Sequence, residues 1–199
     1  TVAGIIKALA TTYGNPAERF SSVDLDLANF TAFDAANTAP VGVYLDSRAN
    51  VLAVCQELAG SLDAALAMSR EGKLRLLKVG QSLAGTPKEV LPHMYEQGSL
   101  NIADRTKVIA GVKLGYCKNY TVQSNLDTGI PAEHKDLFAQ EWLTVTSRDS
   151  TVAAEYGLYA EPDKVDTLLL DTAQAQQEAD RRLALWKVQR NVISLKGYA

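Results

Sequence analysis

Two cysteines and two histidines are the whole supply of thiol and imidazole metal ligands in this 199-residue chain. They are scattered, with no CxxC, HExxH or EF-hand spacing, so no metal site is expected. Cys55 and Cys117 cannot build a disulfide framework and read as reduced core thiols. His93 and His134 each stand alone and read as surface residues beside loops. The net charge of −3 argues against a nucleic-acid binder, which needs a basic face for phosphates, although charges can segregate into a local basic patch. Apolar runs stop well short of the ~20 residues that cross a bilayer, so no membrane span is expected. Glycine-rich phosphate loops are missing too, and no cofactor is expected. The opening TVAGIIKALA has no basic leader and reads as an ordinary helix rather than a signal peptide.

Catalytic arrangements are equally scarce. The stretch from Gly80 to Gly85 around Ser82 has one residue too many for a nucleophile elbow and follows a hairpin strand, so it reads as loop. Asp24, Asp26 and Asp34 cluster near a helix start, where carboxylates usually cap and complement the dipole. The triplets Asn29-Phe-Thr31 and Asn119-Tyr-Thr121 would accept glycans only in a secretory setting. No catalytic residue is assigned. Arg181 and Arg182, with Lys187 and Arg190, read as a solvated helix face.

An apolar fraction of 47% and a charged fraction of 22% describe an ordinary globular chain. Val2, Ile5, Ile6 and Leu9 predict a helix over 2–12, ended by Tyr13-Gly14-Asn15-Pro16. A second helix is predicted over 25–36, with Leu27, Phe30 and Phe33 inward, and then a short strand from Pro40 through VGVYL. Asn50 or Ser47 should cap a helix carrying Val51, Val54, Cys55 and Leu58 on one side, with Gly60 as its C′ residue. Residues 65–70 and 73–79 predict a β-hairpin closed by Glu71-Gly72; Leu66 and Met68 share one face, and Leu74, Leu76 and Lys78 alternate with Arg75 and Leu77. Residues 80–100 read as loop, with a helical turn near 90–95. A long strand is expected over 106–123, with Gly111 and Gly115 marking a bulge or a close backbone approach. Residues 124–140 read as irregular, 141–147 as strand, and 163–170 as the lead into a final helix. That helix starts at Asp171 or Thr172 and puts Ala175, Ala179, Leu183 and Trp186 on one face. From Val188 to Lys196 the period changes to two, predicting a long strand. The class is therefore α+β: mixed helices and antiparallel strands in one domain over 1–199, with sub-boundaries near 36–40 and 80–100. The abrupt end in strand pattern suggests a piece of a longer protein.

Three stretches carry a family resemblance. Residues 23–79 place an Asp/Phe helix before Val-Gly-Val-Tyr, a helix and a Glu-Gly hairpin. Residues 99–123 end in Tyr-x-x-Asn-Tyr-Thr, and residues 172–198 join a helix to a strand. In these the chain resembles an internal portion of phage tail-tip proteins: the baseplate hub of long-tailed phages and the related host-specificity, central tail-fibre protein of lambda-type tails. The resemblance implies a non-enzymatic virion protein, made in the bacterial host cytoplasm and trimeric in its parent assembly. Its implied partners are the distal tail protein, the tape measure and the central fibre or spike. Candidate interface residues are Trp142, Tyr120, Trp186 and Arg190, although core packing is the ordinary fate of most aromatics. Two alternatives stay open. One is a cell-wall-degrading hydrolase using Asp24 or Asp26 with Glu71; the other is a carbohydrate- or receptor-binding module, which a buried Trp142 would weaken.

Overall fold

The structure is a computed structural model that describes residues 1–80 and 89–198. Three helices form one side of it. α1 (Val2–Thr12) is capped by Thr1, whose Oγ1 accepts from the Gly4 N–H, and its Val2, Ile6 and Ala10 are buried one turn apart. The helix ends where Tyr13 turns extended and Gly14 takes a φ of +84°. α2 (Leu27–Ala36) begins two residues later than its pattern suggests, because Leu25 is drawn into a parallel bridge with Leu74 and Asp26 becomes the N-cap. Phe30 and Phe33 are buried, whereas Leu27 is exposed. α3 (Val51–Gly60) is capped by Asn50 rather than Ser47; the Asn50 Oδ1 accepts from the Leu52 and Ala53 N–H groups at 2.9 and 3.2 Å. Gly60 is not a C′ residue. The helix includes it, Ser61 repeats the helical hydrogen bond to Glu57, and the chain turns only at Asp63, with a φ of +53°. Val54, Cys55 and Leu58 face α1.

The hairpin is present, as β1 (Ala64–Met68) and β2 (Leu74–Lys78). Its connection is longer than two residues. The Ser69 N–H donates to the Lys73 carbonyl at 2.7 Å, and Ser69 Oγ accepts from the Glu71 and Lys73 N–H groups. A two-residue turn of the favoured type needs positive φ at both centres. Gly72 supplies it, with a φ of +75°; Glu71 would be strained there. Leu74 and Leu76 point inward with Lys78 behind them, as the alternation predicts, while Met68 at the hairpin tip is exposed.

β4 (Gly111–Tyr116) is the centre of a three-stranded sheet, antiparallel to β5 (Leu143–Arg148) and parallel to β6 (Lys164–Asp166). The long strand expected over 106–123 is thus six residues. A strand extends as far as its partner does, and β5 offers Leu143 to Arg148. Before it, the Ile109 N–H donates once to the Trp186 carbonyl, the Thr106 N–H once to the Arg190 carbonyl, and the Ala110 carbonyl accepts once from the Asp149 N–H. After it, Cys117 turns at a φ of +51°, and the chain folds onto α4 (Ala132–Ala139), in a region read as irregular. Gly115 does mark a close approach: a Cβ there would lie 2.9 Å from Asp166 Oδ1 and 3.4 Å from the Trp142 Cβ. The β4–β5 register is unbroken, so there is no bulge. α5 (Ser150–Tyr156) follows β5, capped by Asp149 and closed by Gly157 at a φ of +67°.

The strand expected from Pro40 is reduced to one bridge, Val41 with Leu169, flanked by single hydrogen bonds from Gly42 to Leu168 and from Leu170 to Pro40. α6 (Thr172–Trp186) is capped by Asp171 and lays Ala175, Ala179 and Leu183 across β4 and β5. Beyond it the long strand is only β7 (Asn191–Ser194), with a further bridge from Gly197 to Tyr95. Its partner is β3 (Asn101–Arg105), which the sequence pattern does not reveal. A continuous apolar cluster joins α1, α2 and α3 through β2 to β4, β5 and α6. The architecture is α+β, and no helix among the described residues is long and apolar enough to cross a membrane.

Candidate functional site

Two of the four candidate interface residues come together. The Lys118 Nζ lies 5.1 Å from the ring centroids of both Tyr120 and Trp142, and Lys164 approaches the Trp142 ring at 5.2 Å. Trp142 is 8% exposed, and its Cβ lies 3.4 Å from where a Gly115 side chain would begin. It is a core residue rather than an exposed anchor, and a carbohydrate-stacking role loses its platform. Tyr120 stays partly open. Its ring meets Tyr44 edge-on at 5.5 Å, and its hydroxyl accepts from the Tyr44 N–H at 3.3 Å. Trp186 and Arg190 sit where α6 passes towards β7. Arg190 Nε donates to the Leu185 carbonyl, and the Arg190 carbonyl accepts from the Thr106 N–H at 2.8 Å.

The carboxylates weighed for hydrolysis are each engaged in local structure. Asp24 accepts from the Ser21 hydroxyl and N–H, and these bonds hold its carboxyl below the usual range. Asp26 caps α2 and lies 3.8 Å from Arg75. Glu71, on the hairpin turn, lies 3.9 Å from Lys73. His93 and His134 are exposed. No group of three or more metal-ligating side chains occurs among the described residues. Ser82 and its flanking loop lie outside the described residues.

The expected solvated face of α6 is, at Arg181 and Arg182, the reverse. Glu178 is inward, with its side chain 4% exposed, and accepts from Arg181 and Arg182 at 2.8 Å each. Lys78, 7% exposed, completes the set at 3.2 Å from Glu178 and 2.7 Å from the Asn37 Oδ1. Arg181 also pairs with Asp63 at 3.2 Å, and Arg182 donates to the Gly60 and Ser61 carbonyls at the end of α3. Burial pushes the Glu178 carboxyl up, but the Arg181 and Arg182 hydrogen bonds and the Lys78 charge outweigh it and hold the group below its ordinary value. Burial pulls the Lys78 ammonium down, and the attraction of Glu178 does not fully offset it. Among the described residues, Lys78, Glu178, Arg181 and Asn37 also line a cleft of about 350 Å³ with Gln174 and Gln177. Three cations facing two carboxylates, all hydrogen-bonded, fix helix, hairpin and loop in one geometry. The signal was in the sequence: Lys78 shares the period of Leu74 and Leu76, and Glu178 and Arg182 share the stripe of Ala175 and Ala179. An inward cation and an inward acid need each other. Comparison with protein-family models and with curated proteins returns no match for this chain.

Both thiols are free. Burial pushes the Cys55 thiol up to about 11 from 9.0. Its protonated form is favoured by the fold, so its contribution is complete below pH 9 and is lost as pH rises from there towards about 11. Ellman's reagent should therefore titrate the half-buried Cys117 first and reach Cys55 only on unfolding. Equal rates for the two in native protein would contradict the packing of α3 against α1.

Proposed function

We propose that this chain is a structural, non-enzymatic unit of a phage or prophage tail tip, part of the baseplate hub that joins the tail tube to the central fibre or spike. Three copies surround the tail axis in the parent assembly and meet the distal tail protein and the tape measure, and the protein resides in the virion. The observation that carries the reading is the likeness of residues 23–79, 99–123 and 172–198 to tail-tip proteins. Those stretches hold consecutive elements of the chain: α2 through the β1–β2 hairpin, β3 and β4, and α6 and β7. The carboxylates considered for hydrolysis act as caps and turn residues, which fits a protein that works through surfaces rather than a reaction.

Immunogold electron microscopy of purified particles, with antibody raised against residues 1–199, tests this. Label confined to the distal end of the tail is expected. Particles free of label, with the protein recovered only in the non-particulate fraction, would refute the reading.

A further inference from the structure

The cleft of about 350 Å³ between α2, β2 and α6 holds more positive charge and more hydrogen-bond donors than the protein itself uses. Among the described residues its charged lining is Lys78, Arg181 and Glu178. Behind these, Arg182 and Asp63 add one charge of each sign. One positive charge is left over, beside a lysine whose side chain is only 7% exposed. The hydrogen bonds point the same way. Glu178 is saturated: its Oε1 accepts from Arg181 and Arg182, and its Oε2 from Arg181 and Lys78. The donors are not. Lys78 Nζ directs two of its three N–H groups to Asn37 Oδ1 and Glu178 Oε2. Asn37, itself buried, gives one of its two amide hydrogens to the Phe33 carbonyl at 2.9 Å. The Gln177 side chain, one turn of α6 after Gln174, bonds to no described residue.

Spare donors beside a spare positive charge, with the acid already satisfied, call for an anion rich in acceptors. A single surplus charge matches a monoanion, whereas a dianion such as phosphate would leave a second negative charge facing Glu178. Ala39 and Leu62, both buried, form apolar wall, so the body of the ligand is apolar. The volume lies at the small end of ligand sites, which suits a short molecule. We propose that this cleft binds a small aliphatic carboxylate, with its head on Lys78 and the amides of Asn37 and Gln177 and its chain against Ala39 and Leu62. The bound acid supplies Lys78 with a second counter-ion and ties α2, β2 and α6 to one another. The site stands on the charges and donors of the cleft and not on the tail-tip reading.

Sodium butyrate titrated into the 199-residue chain, followed by amide NMR, tests the site. The side-chain amide signals of Asn37 and Gln177 should move and saturate. Sodium chloride at matched ionic strength, and butylammonium chloride, should give no such saturation. Gln177 is exposed on α6, so charge can be changed there without disturbing the core, and far-UV circular dichroism checks that the fold is kept. Read on the Asn37 amide, Gln177→Glu should weaken butyrate about tenfold or more, and Gln177→Lys should tighten it. Tyr159→Ser, exposed and away from the cleft, should leave it unchanged. Absence of saturation in wild-type protein overturns the proposal by itself. So does an equal response to chloride, which would make the cleft a general counter-ion site only, or equal affinity in the Gln177→Glu and Gln177→Lys variants.

Discussion

Glu178→Gln should cost about 3–5 kcal/mol, the range for removing one partner from a buried ionic group. Glu178 neutralises three cations at once, accepting from Arg181 and Arg182 at 2.8 Å and from Lys78 at 3.2 Å. Glutamine keeps the volume but deletes the charge and turns one acceptor into a donor, leaving Lys78 and Arg182 buried without a counter-ion. Lys78→Met should cost less, about 1–3 kcal/mol, because Glu178 keeps both guanidinium groups and a methionine fills the space of the lysine stem, while the Asn37 Oδ1 loses its donor. Paired urea titrations of the two variants measure the difference. Equal losses would mean that Lys78 matters to the cluster as much as Glu178 does. The pH dependence has a defined sign. The folded-state pKa of Glu178 is lowered, so its contribution is complete above about 4.5 and drains away as pH falls below that value. Wild-type stability should therefore decline steeply on acidification through this window, and Glu178→Gln should show a shallower decline from its lower plateau.

That cluster also explains where sequence reading worked and where it did not. Period and capping located α1, α3, the hairpin and α6 because each carries its own signal: Asn50 and Asp171 at N-caps, and apolar stripes at 2–10, 54–58 and 175–183. α5 also carried one, an Asp149 N-cap and a Gly157 turn eight residues apart, and it was missed because so short a helix has no stripe to count. α4 starts at Pro131 without a side-chain cap, in a polar stretch that offers neither signal. Strand lengths failed for another reason. The patterns at 40–45, 106–123 and 188–196 describe chain that could extend, but a ladder also needs a partner in register. Leu169 offers Val41 one bridge, β5 offers β4 six residues, and β3 offers β7 four.

The candidate interface was legible only by residue type. Trp142 and Tyr120 belong to a class common in hot spots, yet the bond that brings them together runs through Lys118, and burial separates their roles. Exposure of the β3–β7 ribbon could not be read locally, because alternation at 188–196 looks the same whether the apolar face meets a core or water. The one-sided burial that sets a register elsewhere in the fold is missing there, since the described residues of both strands are exposed.

The sheet's own packing makes the last expectation large. Leu114→Ala should remove about 3–5 kcal/mol, a fall in Tm of about 10 °C for a chain of this size. Leu114 is fully buried at the centre of β4, opposite Val145 on one side and Val165 on the other, on the face that α6 covers. Strands on both sides hold the backbone in place, so the surroundings cannot collapse into the space that the lost methyl groups leave. Val165→Ala, on the same face but at the edge and 46% exposed, should cost about 1 kcal/mol or less. Because the apolar cluster runs without a break from α1 to α6, loss at Leu114 should lower the transition seen by the fluorescence of Trp142 and Trp186 and by far-UV circular dichroism together, with an unchanged urea slope. Two separated transitions in the variant, with the α1–α3 signal persisting after the sheet has melted, would show that the helices and the sheet are held by separate cores.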